Sequence, residues 1–252
     1  MKKINFIGFV MAACLAVCSV ARGDEALKLL TIGNSFSESL TRQLPKVVKS
    51  AGKKLDHLDL YRGGCSLKQH WENRENPKWY SKKITLIDAL KMKKWDVVTL
   101  QQLSSSANDA ASYEPYFGQL VALIKELAPS AEIVIHQTWS WPRKDMSVDA
   151  FYEGVRGTYA GMAEKYGIKR TIPSGYAIQV YRHVYEGDAL AKDHRHLSKP
   201  AGEYLQSLVW VGKLFGVDPK TIAYAPEGVD EKTATAMRDS AARALASTTL
   251  KD

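Results

Sequence analysis

The sequence predicts a three-layer α/β/α sandwich built on a five-stranded, mostly parallel sheet. Three observations predict it. Short apolar runs alternate with longer stretches whose apolar residues recur at helical spacing. The short runs have continuous apolar centres, as strands covered on both faces do. No linker rich in Pro, Gly or Ser divides the chain, so residues 24–252 are expected to form one domain.

The elements follow in order. "LKLLTIGN" (27–34) is an apolar run ending in turn residues, a first strand. Phe36, Leu40, Leu44 and Val47/Val48 keep helical spacing over 36–51, and Gly52 stops that helix. "LDHLDLYRGG" (55–64) alternates Leu55, Leu58 and Leu60 before a glycine pair, a second strand. A helix is expected over 79–94, then a third strand in "WDVVTLQQ" (95–102). Residues 113–128 read as a helix ended by Pro129. "AEIVIHQTW" (131–139) is a fourth strand, 147–166 a helix closed by Gly167, and "IKRTIP" (168–173) a short fifth strand. Helices over 174–186, 200–215 and 229–247 complete the pattern.

The first residues stand outside it. Lys2 and Lys3 precede "INFIGFVMAACLAVCSVA" and then "RGDE", the layout of an export signal spanning residues 1–23. Ala21 and Gly23 fit the −3 and −1 positions, so cleavage is expected before Asp24, into the periplasm or the medium. A lipoprotein reading fits less well, because Val17 stands directly before Cys18; a retained membrane anchor is the remaining alternative. No later segment is long and apolar enough to span a membrane. The leader carries three positive charges, so its removal takes the formal charge from +8 to +5. That excess is scattered and not interleaved with aromatics, which argues against a nucleic-acid partner. Cys14 and Cys18 leave with the leader and Cys65 stays alone, so an internal disulfide is impossible.

In parallel sheets, binding groups gather beyond the carboxyl ends of the strands. After the first strand stands Gly33-Asn34-Ser35-Phe36-Ser37, after the second Arg62-Gly63-Gly64-Cys65-Ser66. After the third come Gln101 and Gln102, and after the fourth His136, Gln137, Thr138 and Trp139. "DHRHLS" (193–198) precedes a late helix. Ser35 has two readings that can coexist. It can cap its helix, since Ser35 to Glu38 matches the S-x-x-E capping box. It can also be a nucleophile at a strand-to-helix turn, where free helix N–H groups would steady an oxyanion. Asp193 and His196 are three apart, so in a helical turn a carboxylate could orient an imidazole. His194, His196 and Asp193 are also metal-ligand types, which leaves a metal site open, as it leaves a plain polar turn. Gly64 can bring its N–H close to a substrate oxygen, and a glutamine amide can donate to an oxyanion.

Read together, these segments resemble the blocks of the SGNH/GDSL hydrolase superfamily over residues 27–216. "TIGNSFSES" is similar to its first block, with Asn34 where commoner members have Asp; "YRGGCS" is similar to the glycine block. "WDVVTLQQ" is similar to the third block with Gln in place of Asn, and "DHRHLS" to the Asp-x-x-His block. The resemblance implies a flavodoxin-like sheet and a serine esterase without a cofactor. It implies Ser35 as nucleophile, His196 as base and Asp193 as its orienting carboxylate. The implied oxyanion hole is the N–H groups of Ser35 and Gly64 with the amide of Gln101 or Gln102. Gln101 is preferred because it directly follows the apolar run.

Six tryptophans suit a cleft that meets sugar rings, and Trp139 follows the fourth strand on the site side. Trp139, Asn34 and Arg62 are the expected substrate contacts, and the expected substrate is an acyl ester of a carbohydrate or glycoconjugate. Two other classes compete: a non-catalytic carbohydrate-binding protein on the same scaffold, and a metal-dependent hydrolase built on His194 and His196. Oligomeric state is not legible in the sequence.

Overall fold

The computed structural model describes residues 25–246; the leader and its cleavage point lie outside them. Five strands form one sheet: β1 (Leu27–Gly33), β2 (Leu55–Tyr61), β3 (Val97–Leu100), β4 (Glu132–His136) and β5 (Arg170–Ile172). Their spatial order is β2-β1-β3-β4-β5, and every pairing is parallel. The expected "mostly parallel" sheet is wholly parallel. The chain leaves β1 for β2 on one side and returns to β3 on the other. That reversal opens a crevice at the carboxyl ends of β1 and β3, where such sheets bind ligands.

Side chains alternate across the sheet, so β1 feeds two cores. Leu29 packs with α2 (Leu40–Ser50), α7 (Ser174–Tyr185), α8 (Ala201–Phe215) and α9 (Glu231–Ala246). Leu30 and Ile32 pack on the other face, with α4 (Leu86–Lys91), α5 (Tyr116–Leu127) and α6 (Val148–Tyr166). Each core is apolar and closed, the condition for a sheet without a wet face.

Three helical expectations change. The helix over 36–51 is two pieces, α1 (Ser35–Glu38) and α2, with Ser39 between them. Ser39 Oγ lies 2.9 Å from Phe36 O and 2.6 Å from Gln206 Oε1, so its side chain competes for backbone groups at the break. The helix over 79–94 shrinks to α4. Thr85 caps α4 by accepting from Asp88 N, and Lys83 just before it adopts a left-handed conformation. An extra helix, α3 (Leu67–Glu72), follows the glycine turn. Its signal was present as Ser66-x-x-Gln69, and the capping box forms there in full.

Candidate active site

Ser35 is the first residue of α1, at the end of the central strand β1. Its position is built by Asn34, which is 1% exposed and is the actual helix cap. Asn34 Oδ1 accepts from Phe36 N at 3.1 Å, so the expected cap, Ser35, keeps its hydroxyl free for other partners. Asn34 Nδ2 donates to Cys65 O at 3.0 Å, and Arg62 N donates to Gly33 O at 3.2 Å. Those two bonds dock the glycine turn beside Ser35. Gly64 sits in the turn with φ +63°, a conformation natural to glycine. Among the described bonds, no acceptor takes the Gly64 or Ser35 N–H. The backbone at Gly33 must also be bare, because a Cβ there would stand 2.6 Å from Ser37 Oγ and 2.8 Å from Gln101 Oε1.

The late loop arrives opposite. His196 Nε2 lies 3.0 Å from Ser35 Oγ, and His196 Nδ1 lies 2.6 Å from Asp193 Oδ2. Asp193 Oδ1 accepts from the N–H groups of Arg195 and His196 at 3.1 and 3.0 Å, which fixes the carboxylate in its turn. The bond from His196 and the two backbone donors hold Asp193 down at about 2, so it stays ionised at ordinary pH. The loop itself is stitched shut. Ala191 N donates to His196 O at 2.6 Å, Ser198 N to Ala189 O at 2.9 Å, and Leu190 pairs with Leu197. His196 remains half-exposed, open to a substrate from solvent.

Four expected site residues take other places. Asn34 is enclosed, and its side chain is committed to the cap, the glycine turn and Gln101. Trp139 is 1% exposed and stacks on Phe36 at 4.0 Å. Its indole N–H donates to Arg195 O at 3.0 Å, so it buttresses the histidine loop from within and forms no open wall. Gln101 donates to Asn34 Oδ1 at 2.7 Å, and Gln102 donates to Ser112 O and accepts from the Leu67 and Leu103 N–H groups. Neither amide is free for an oxyanion. Gln101 instead steadies Asn34, and Gln102 ties α3 to the loop after β3. Arg62 stays exposed beside the glycine turn, lying over the Trp79 ring at 4.7 Å.

His194 is exposed, in a left-handed turn conformation. Among the described residues, no three His, Cys, Asp or Glu side chains converge as a metal would need. Cys65, near the site, is buried; burial pushes its thiol up to about 12, too high for a nucleophile at neutral pH. Two supporting residues were not among the expected site residues: Phe36 was read only as part of a helix face, and Gln206 was not read at all. Phe36 meets His196 edge-on at 6.0 Å, and Gln206 donates to Phe36 O at 2.8 Å. Phe36 was visible as the one large apolar residue in "NSFSES"; Gln206 carries no local signal.

The arrangement can take a proton from a hydroxyl and return it: the imidazole faces Ser35 Oγ with one nitrogen and a fixed carboxylate with the other. Several solved structures share the architecture. A protein described as a GDSL-like lipase from Parabacteroides merdae superposes with a TM-score of 0.52 at 14% identity, over 75% of this chain and 97% of that one. The family 3 carbohydrate esterase of Clostridium thermocellum gives 0.53 at 15% identity, over 76% and 96%. The fold is thus of the SGNH hydrolase type. No curated protein matches the chain. A DUF4886 family protein from Bacteroides uniformis matches at 28% identity and a TM-score of 0.82, over 87% of this chain and 95% of that one. The model of DUF4886, a domain of unknown function, matches residues 28–244, and the chain belongs to that family.

Proposed function

We propose that the chain is an exported serine esterase that removes acyl groups, acetyl above all, from a carbohydrate or glycoconjugate. One observation carries the reading: Ser35 Oγ, His196 and Asp193 form one continuous hydrogen-bonded line. Asp193 accepts from His196 Nδ1–H and so leaves the Nε2 lone pair facing Ser35. Ser35 Oγ attacks the ester carbonyl while Nε2 takes its proton. The ionised Asp193 stabilises the imidazolium. The N–H groups of Ser35 and Gly64 hold the oxyanion, each worth about 2.7–4 kcal/mol in the transition state. Nε2 then protonates the departing alcohol, and water repeats the cycle to release the acid. Export rests on the leader motif in residues 1–23. The carbohydrate rests on the kinship of scaffold with an enzyme described as a carbohydrate esterase.

The test is p-nitrophenyl acetate hydrolysis by the purified protein, beside Ser35→Ala and His196→Ala, with EDTA in a parallel set. Turnover lost in both variants and indifferent to EDTA is the expected result. Loss of turnover with the chelator points instead to a metal-dependent hydrolase. No turnover, together with no labelling of Ser35 by a fluorophosphonate, removes the esterase reading in favour of a binding protein.

A further inference from the structure

The structure assigns Arg195 as the anchor for a negative charge on the substrate, so that the ester acted on belongs to an acidic sugar, a uronic acid residue carrying the acyl group. This rests on the esterase reading of the same site. The other partly buried arginines of the described chain each meet a carboxylate: Arg42 meets Glu203, Arg143 Asp145, Arg170 Glu132 and Arg182 Asp188, among others. Arg195 is also partly buried, yet among the described residues no carboxylate lies within salt-bridge distance of its guanidinium. A guanidinium withdrawn from water without an anion is costly, and an arriving anion relieves that cost.

The group is also held ready. Arg195 N donates to Asp193 Oδ1 and Arg195 O accepts from Trp139, so the backbone is fixed on both sides of the side chain. Nη2 donates to Ser104 Oγ at 2.8 Å, and the guanidinium carbon lies 5.0 Å from the Trp141 ring centroid. Nε is enclosed with no hydrogen-bond partner among the described residues. Arg143 lies over the same ring at 5.7 Å but is neutralised by Asp145, so Arg195 is the cation there with charge to spare.

Its place suits a substrate contact. The side chain stems from the residue directly before His196 and crosses to the loops after β3 and β4. The glycine turn follows β2, on the opposite side of β1. With the ester's carbonyl oxygen toward the glycine turn, one of the two remaining substituents of the carbonyl carbon faces the loops after β3 and β4, and the assignment places the sugar there. A planar carboxylate can take two parallel N–H bonds from a guanidinium, and Trp141 beside it offers a flat face to the ring.

The experiment measures acetate release by the purified protein from O-acetylated oligogalacturonide, and from the same oligomer with its carboxyls methyl-esterified. The wild type is expected to favour the carboxylated oligomer in kcat/KM by about 10- to 100-fold, mostly through KM, the usual worth of a charge-assisted hydrogen bond. Arg195→Gln should bring that ratio to about one, and Arg195→Lys, which keeps the charge but loses the fork, should keep only part of it. Calorimetric binding of both oligomers to Ser35→Ala protein, with and without Arg195→Gln, reads the same ratio without catalysis. A wild-type ratio near one, or a ratio unchanged by Arg195→Gln, overturns the assignment. If p-nitrophenyl acetate is still turned over and Ser35 is still labelled, only the Arg195 assignment falls; if both fail, the esterase reading falls on its own account.

Discussion

Asp193→Asn separates a proton-relay role from a structural one, because the carboxylate does two jobs with two atoms. Oδ1 accepts the backbone N–H groups of Arg195 and His196 at 3.1 and 3.0 Å, and an asparagine oxygen can accept both. Oδ2 meets His196 Nδ1 at 2.6 Å, and an amide nitrogen there can only donate. The ring must then present a lone pair at Nδ1 and carry its proton on Nε2, pointing at Ser35 Oγ. A base already protonated on that side cannot take the serine proton. The expected loss is about 10⁴-fold in kcat, the scale known for this tautomer error, or about 5 kcal/mol of transition-state stabilisation. KM should hold, since no substrate contact changes. Stability should hold within about 1 kcal/mol, since the side chain is 52% exposed and the turn keeps both backbone bonds. The assay is p-nitrophenyl acetate turnover beside a urea melt of the same preparation. Turnover within tenfold of wild type at unchanged stability would refute the role given to Asp193.

Two further outcomes test the frame beneath the nucleophile. Asp59 is buried under α1, accepts from Thr31 Oγ1 at 2.6 Å, and is pushed up to about 6 by burial. The fold therefore keeps a proton between about pH 4 and pH 6 that the unfolded chain has released, so wild-type stability falls as pH rises through that window. Asp59→Asn cannot lose that proton and should gain on the order of 3 kcal/mol over wild type between pH 4 and pH 8. Parallel urea midpoints at the two pH values check it; equal falls in both proteins count against it. Gly33→Ala places a methyl 2.6 Å from Ser37 Oγ and 2.8 Å from Gln101 Oε1. It should cost about 1–3 kcal/mol of stability. By pushing Gln101 off Asn34 it should also lower turnover more than the stability loss explains, which single-turnover kinetics would reveal.

What the sequence determined by itself is whatever repeats over a few residues. Strand and helix periods located all five strands and most helices, because burial of a face leaves its mark every second residue or every third to fourth. Ser35 after an apolar run and Asp193-x-x-His196 were legible for the same reason: each is a local spacing. Tertiary structure decided everything that joins distant stretches. Ser35 and His196 are 161 residues apart and Asn34 and Gln101 are 67 apart, and only the order β2-β1-β3-β4-β5 brings them together. That is why Asn34 and Gln101, read as site groups, turned inward to hold the cap. It is also why Trp139 went behind Phe36, and why Arg195 showed itself only once every other partly buried arginine among the described residues had found its carboxylate. A parallel sheet places its neighbours through long crossovers, so hydrogen-bond partners and charge balance at its edge are set by packing and leave no period in the chain.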